Sequence, residues 1–258
     1  MQGRGPRSHG VGGEQVEGRH AVRELLLAGW RRVKDVWVVE DVDPAPILDD
    51  IFELAAEARV PVKRVGRGQL DHAARSDAPQ GVLAHAAPLP EADLDALARP
   101  KGGGAPFLLA LDGITDPQNL GALLRTAECA GVTGVVLPRH RAAHVTPTVA
   151  KAAAGAVEHL PIALVGGLPA ALTRLKELEV WTVGLDAAGE TSLFELTVAT
   201  EPVAVVLGAE GRGMSRLVRE RCDVLAAIPL RGALSSLNVS AAGALALYEV
   251  ARRRGSPG

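Results

Sequence analysis

The stretch FLLALDGITDPQNLGALLRTAECAGVTGVVLP, residues 107–138, places two apolar runs on either side of a helical segment. Short continuous apolar runs such as FLLALDG and VTGVVLP are typical of strands that are buried on both faces of a sheet. Asp116 followed by Pro117 is typical of a helix N-cap with proline at the first helical position. Strand, helix and strand in this order predict a parallel pair joined by a crossover helix.

The same alternation continues to the C-terminus, with further apolar runs LPIALV, VWTVGLD, VAVVLG and VLAAIPL between helical segments. The pattern predicts an α/β domain over residues 106–258, with a parallel sheet between helices. Ligands of such sheets bind at the carboxyl ends of the strands. The last segment, VSAAGALALYEVARRR, is so rich in small and apolar residues that we expect this helix to be buried nearly all round.

Three other regions precede this domain. Residues 1–14 are rich in glycine and predict a disordered tail. Residues 15–88 predict a small alternating α/β unit, which begins with a helix that ends at Gly29. Four prolines and a triple glycine within residues 88–106 indicate a linker, with or without a short helix, which we place at 89–105.

The amino-acid composition excludes several classes of function. The formal net charge of −2 excludes a uniformly basic nucleic-acid binder, and 3% aromatic residues argue against a base-stacking platform. No apolar run reaches the roughly 20 residues of a membrane helix, and no signal peptide is evident, so we expect a cytoplasmic protein that does not bind membranes. Cys129 and Cys222 lie far apart in the sequence and each has apolar neighbours, so we expect two reduced, buried thiols. His140 and His144 have a zinc-like spacing without a matching pair, so no metal is expected.

Polar side chains cluster at three strand ends. Asn119 and Arg125 follow the first, where Arg125 is either an anion ligand or a surface arginine paired with Glu128. Glu210 lies in GAEGRG after the run VAVVLG, where glycines would let a bound molecule approach the backbone, or where Glu210 is a solvated turn residue. The third cluster, Ser235, Ser236, Asn238 and Ser240, exceeds what one helix cap requires. The spacing of the glycines does not fit the dinucleotide-binding fingerprint.

Taken in order, DPQNLGALLRTA, LGAEGRGM and IPLRGALSSLNVSAAGAL resemble the three motifs of the SpoU, or TrmH, branch of the SPOUT RNA methyltransferases. The resemblance covers about residues 106–254, and the preceding domain is similar to the L30e-like RNA-binding domain of bacterial 23S rRNA guanosine 2′-O-methyltransferases. It implies a deep trefoil knot and a homodimer formed through the knotted domain. It also implies S-adenosylmethionine bound by Gly208, Ile228 and Leu237, and a catalytic set at Asn119, Arg125, Glu210, Ser236 and Asn238.

The implied reaction is 2′-O-methylation of a ribose in 23S rRNA, of guanosine by the closest resemblance. Methylation of tRNA or of an antibiotic-resistance site on the ribosome is the first alternative, and a ribosome-assembly protein without catalysis is the second. Basic side chains are candidates for contacts to rRNA phosphates. They are Arg19, Arg23, Arg31 and Arg32 in the first domain and Arg139, His140, Arg141, His144 and Lys151 in the second.

Overall fold

The computed structural model describes residues 11–77, 79–99, 104–140 and 144–255, which form two sheets with helices packed on them. The N-terminal sheet has four strands in the order β1-β4-β2-β3, and only the β2-β3 pair is parallel. Its strands are β1 (Gln15–Glu17), β2 (Val33–Val39), β3 (Val62–Val65) and β4 (Val82–Ala86). Its helices are α1 (Arg19–Ala28), α2 (Pro46–Glu57) and α3 (Arg67–Ala73).

Helix α1 ends where the sequence predicts. Gly29 has a φ of 67°, and its N–H bonds to the carbonyl of Leu25, as in a left-handed helix cap. Val22 and Leu25 of α1 pack against Ile51 of α2, and all three are fully buried. This small core gives the N-terminal unit its own packed interior.

The segment before β1 differs from the expected tail. Residues 1–10 lie outside the described residues, but Val11 is 3% exposed and donates a hydrogen bond from its N–H to the carbonyl of Leu89. Gly12 bridges Leu89 and Val145. The prediction of disorder is therefore wrong for residues 11–14, because Val11 fills a place in the C-terminal core.

The expected linker carries helix α4 (Leu94–Ala98), which is capped by Asp93. The helix is not a free spacer. Leu97 is buried against Gly134, and the Ala92 N–H donates to the carbonyl of Ile162 over 2.8 Å. Contacts with the second sheet therefore hold the described part of this segment in place.

The C-terminal sheet has seven strands in the order β7-β6-β5-β10-β8-β11-β9, and every described pair is parallel, as predicted. Its strands are β5 (Phe107–Asp112), β6 (Gly134–Pro138), β7 (Ile162–Val165), β8 (Trp181–Leu185), β9 (Thr191–Ser192), β10 (Val203–Gly208) and β11 (Val224–Ala227). The helices are α5 (Pro117–Cys129), α6 (Pro147–Ala152), α7 (Leu168–Glu177), α8 (Arg216–Arg221) and α9 (Val239–Arg253).

Strand β11 lies between β8 and β9, although β8 and β9 follow one another in the chain. The connection between those two strands therefore crosses β11. At Gly189 in this connection, an added Cβ would lie 2.7 Å from the carbonyl oxygen of Leu225 in β11. This close crossing needs glycine, whereas the trefoil knot stays a prediction of the resemblance.

Helix α9 is not buried all round, contrary to expectation. It buries Gly243, Ala246, Leu247 and Val250, but Tyr248 is 52% exposed. The exposed positions also include Ala241 and Leu245, so they follow the spacing i, i+4, i+7 of one helix face. No helix among the described residues is long and apolar enough to cross a membrane.

The cysteines also differ from the prediction, since Cys222 is only half-buried and Cys129 is exposed. Both thiols are free, but Cys129 is exposed at the end of α5. Burial and nearby carboxylates raise the pKa of Cys222 to about 12, so this thiol is a packing residue.

Candidate functional site

A cavity of about 420 Å³ opens at the carboxyl ends of β8, β10 and β11. This is the edge of the sheet at which the alternating pattern predicts a ligand. The lining is formed by Leu185–Ala187, Leu207–Met214, Ile228, Leu230, Ser235–Leu237, Val239 and Ala242. The predicted cofactor residues Gly208, Ile228 and Leu237 all lie in this lining.

Gly208 is required by the backbone around the cavity. A Cβ added there would lie 2.0 Å from the carbonyl carbon of Gly213 and from the amide nitrogen of Met214. The chain turns back on itself after β10, where the Gly213 N–H donates to the carbonyl of Ala209 over 2.8 Å. The missing side chain of Gly208 therefore makes room for a neighbouring backbone segment. The sequence had instead predicted that glycines in this loop make room for a ligand.

Two aspartates that the sequence motifs did not identify accept hydrogen bonds from segments at or next to this cavity. The Ser215 N–H donates to Asp112 Oδ2 over 2.7 Å, which ties the start of α8 to the end of β5. Asp186 lines the cavity and accepts from the Ala188 N–H and from Arg219 Nε, each over 2.8 Å. The Ala188 N–H is the main cause that lowers the pKa of Asp186. Their positions at or just after the ends of β5 and β8 are the sequence signal that could have identified them.

Three predicted catalytic residues form one hydrogen-bonded network beside the cavity. Asn119 Nδ2 donates to Glu210 Oε2 over 3.1 Å, and Asn238 Nδ2 donates to Asn119 Oδ1 over 3.0 Å. Asp116 caps α5 and accepts from the Asn119 N–H over 3.0 Å. The network joins one residue from each motif, although these residues are up to 119 positions apart.

The polar residues of the serine-rich segment before α9 have two different roles. Asn238 Oδ1 accepts from the N–H groups of Ser240 and Ala241, so Asn238 is the N-cap while its amide nitrogen serves the network. Ser240 Oγ also donates to Asn238 Oδ1. Ser235 and Ser236 instead line the cavity. Capping therefore explains only part of this cluster.

Arg125 does not join that network. It lies six residues after Asn119, which places it about 120° away around the helix. The Arg125 side chain is exposed and lines a second cavity, of about 330 Å³, between α5 and the N-terminal unit. Within the described part of the chain it has no hydrogen bond or ion pair, so the alternative pairing with Glu128 is not formed.

Arg31 is not an RNA contact, contrary to our expectation. Its side chain is 3% exposed, and Nη1 lies 2.5 Å from Oε1 of Glu158, whose side chain is 1% exposed. Arg31 Nε and Nη2 donate to the carbonyls of Ala87 and Gly13. Burial raises the pKa of Glu158, and the positive charge of Arg31 opposes this shift. The guanidinium of Arg31 thus joins the N-terminal unit to the C-terminal unit through a buried ion pair.

Several of the other basic residues predicted to contact RNA also have protein partners. Arg23 pairs with Asp50 and Glu24, and Arg139 pairs with Glu91. Arg32, His140 and His144 are exposed, Arg19 donates to Gln80, and Lys151 donates to the carbonyl of Asp77. Arg141 lies outside the described residues. Among the residues that the structure describes, no three His, Cys, Asp or Glu side chains are grouped as a metal site would need.

Comparison with known families assigns both units. Residues 106–248 match the SpoU rRNA Methylase family, and residues 15–92 match the RNA 2′-O ribose methyltransferase substrate binding family. The chain belongs to the SpoU rRNA methylase family, and the resemblance of its three motifs is confirmed.

Two relatives illustrate the range of names within this family. The chain is 43% identical over 244 residues to the 23S rRNA (guanosine-2′-O-)-methyltransferase RlmB of Pseudomonas aeruginosa, which covers 93% of this chain and 97% of the relative. It is 39% identical to YacO of Bacillus subtilis, over 95% of this chain and 98% of the relative. YacO is named only as a TrmH family tRNA/rRNA methyltransferase.

Solved structures share the fold over both units. An RNA 2′-O ribose methyltransferase is 27% identical with a TM-score of 0.75, covering 93% of this chain and 88% of that one. The SpoU methyltransferase AviRb from Streptomyces viridochromogenes, solved with AdoMet, is 24% identical with a TM-score of 0.79. That match covers 95% of this chain and 91% of AviRb, and it shows the fold alone.

Proposed function

We propose that this protein transfers a methyl group from S-adenosylmethionine to the 2′-hydroxyl of a guanosine in 23S rRNA. The observation that carries the proposal is the network of Asn119, Glu210 and Asn238 beside a cavity at the strand ends. The relatives named RlmB and the match to a substrate-binding family support rRNA as the substrate.

The cavity suits S-adenosylmethionine in size and lining. Its volume of about 420 Å³ lies within the range of small-molecule sites, and apolar side chains and backbone supply much of its wall. Gly208, Ile228 and Leu237 would hold the cofactor, which supplies an electrophilic methyl group on a sulfonium when it is bound. Ser235 and Ser236 add hydroxyl groups to this wall, which also carries the charged side chains of Asp186, Glu210 and Arg212.

The polar residues would position the RNA. Asn119 and Asn238 fix the carboxylate of Glu210 beside the cavity, where together with Ser236 they could orient a ribose. Arg125 would take an RNA phosphate and stabilise charge as the hydroxyl loses its proton. A guanidinium is a poor base because its pKa exceeds about 12.

The substrate can be tested by incubating the protein with labelled methyl donor and RNA that lacks its own methylation. We expect label in 23S rRNA at one guanosine, on the ribose. Names such as that of YacO make tRNA the second candidate. Label in tRNA alone would replace the proposed substrate, and no transfer to any RNA would favour a protein that only binds RNA.

We further propose a homodimer formed through the C-terminal unit. The exposed face of α9, with Leu245 42% and Tyr248 52% exposed, supports an interface there. Sedimentation should give twice the mass of one chain, and Leu245→Glu should shift the protein toward the monomer. A monomeric wild-type protein would contradict the proposal.

We propose domains at 15–88 and 106–258 with a segment at 89–105 between them, which is supported by two sheets that share no strand among the described residues. The crossing of β11 by the connection at Gly189 supports the trefoil knot. An rRNA substrate supports a cytoplasmic location.

A further inference from the structure

A second cavity of about 330 Å³ lies between the two units, apart from the proposed cofactor cavity. The N-terminal unit supplies one wall from the start of α1 and from the segment that leads into β4. Helices α5 and α6 and the segment that follows them supply the other wall. Its polar lining includes His20, Asp77 and Gln80 of the N-terminal unit and Gln118 and Arg125 of α5.

Helix α5 connects the two cavities. Gln118 and Arg125 are seven residues apart, so they lie on the same helix face about 10 Å from one another. The residue next to Gln118 is Asn119, which belongs to the network beside the cofactor cavity. A strand of RNA that runs from the network along α5 would therefore enter the second cavity.

The N-terminal wall of this cavity is held in place before any ligand binds. Glu17 is fully buried and accepts from the N–H groups of Arg75 and Ser76 over 2.7 and 2.9 Å. Gln80 accepts from the N–H of Arg19 over 3.2 Å. Exposed His20 and the unpaired guanidinium of Arg125 face the cavity from opposite units.

We propose that this cavity binds the RNA nucleotide next to the methylated one, with its phosphate on Arg125 and with His20 and Gln80 on its ribose or base. The inference rests on the proposed function and extends it, because the substrate-binding unit then completes the active site. A guanidinium such as that of Arg125 forms strong, charge-assisted hydrogen bonds with a phosphate group. The side chains of His20 and Gln80 can form hydrogen bonds with a ribose or a base. Asp77 is the carboxylate in the lining, and it would weaken the binding of a phosphate.

Substitution of His20 provides the test. With the RNA that the wild type methylates, His20→Ala should raise the KM for RNA about tenfold, as expected for one lost hydrogen bond, and should leave the affinity for the methyl donor unchanged. His72→Ala is the matched control, since His72 is also exposed on a helix of the N-terminal unit but does not line the cavity. Equal KM values for the two variants would overturn the inference.

A second variant should act in the opposite direction. Asp77→Asn keeps the backbone carbonyl that accepts from Lys151 but removes a negative charge, so RNA binding at low salt should tighten about threefold. Weaker or unchanged binding would contradict the proposed subsite. Filter binding without methyl donor separates this result from the proposed function, because a wild type that binds RNA without methylating it refutes the function alone.

Discussion

The proposed cofactor cavity and the cavity between the two units are built in different ways. Around the first, walls of backbone and apolar side chains depend on close contacts within the C-terminal unit, such as that of Gly208 with the turn at Gly213. Around the second, polar side chains of the two units face one another across an interface that the buried ion pair of Arg31 and Glu158 stabilises. Substitutions at the first cavity should therefore disturb folding and cofactor binding together, whereas those lining the second should change RNA binding and methyl transfer and leave the affinity for the methyl donor unchanged.

The largest effect is expected at Gly208. In Gly208→Ala the new methyl group would overlap backbone atoms 2.0 Å away, so we expect a loss of more than about 4 kcal/mol in unfolding free energy. Binding of the methyl donor, followed by calorimetry, should be lost as well. Gly232→Ala is the control, because an added Cβ there has no neighbour within 4 Å. A Gly208→Ala protein that binds the donor normally would show that the backbone does not shape this cavity.

Arg31→Met should separate the two walls of the second cavity. It leaves the carboxylate of Glu158 buried without its counter-charge, which costs about 3–5 kcal/mol in unfolding free energy. Burial already raises the pKa of Glu158, and the loss of Arg31, whose positive charge opposes this shift, should raise it further. Stability of this variant should therefore be highest below the ordinary pKa of glutamate and fall as the pH rises through the raised pKa.

Denaturant unfolding at several pH values measures this effect. Arg32→Met is the matched control, because Arg32 is the neighbouring arginine and is exposed. If both variants unfolded alike at every pH, the ion pair of Arg31 and Glu158 would not be what joins the units.

Asn238 separates capping from catalysis. Asn238→Asp keeps the oxygen that accepts from the Ser240 N–H but loses the amide that donates to Asn119, so stability should hold while methyl transfer falls about 100-fold. Asn238→Ala should lose the same activity and also about 1 kcal/mol of stability. An activity loss that tracked unfolding in both variants would reduce Asn238 to a helix cap.

The sequence predicts the elements better than their arrangement. Continuous apolar runs identify the buried parallel strands, and Asp116 and Gly29 mark helix ends correctly. The insertion of β11 between β8 and β9 has no local signal, since it depends on contacts such as that of Gly189 with a distant strand. The three-residue β1 is too short for its periodicity to be recognised.

The site shows the same limit. The motifs identify Asn119, Glu210 and Asn238, which the structure joins. They do not show that Arg125 faces another cavity, because this placement follows from helix geometry and from the docking of the N-terminal unit. The sequence made Arg31 a candidate for RNA contact, and only its partner Glu158, 127 positions away, explains its burial.

We infer that Arg125 acts on RNA from outside the cofactor cavity. The direct test is to measure donor affinity and methyl transfer for Arg125→Ala, with Glu128→Ala on the same helix as the control. We expect donor affinity within about twofold of wild type and transfer reduced about 100-fold. An Arg125→Ala enzyme that binds RNA and donor and methylates at the wild-type rate would show that Arg125 has no role in methyl transfer.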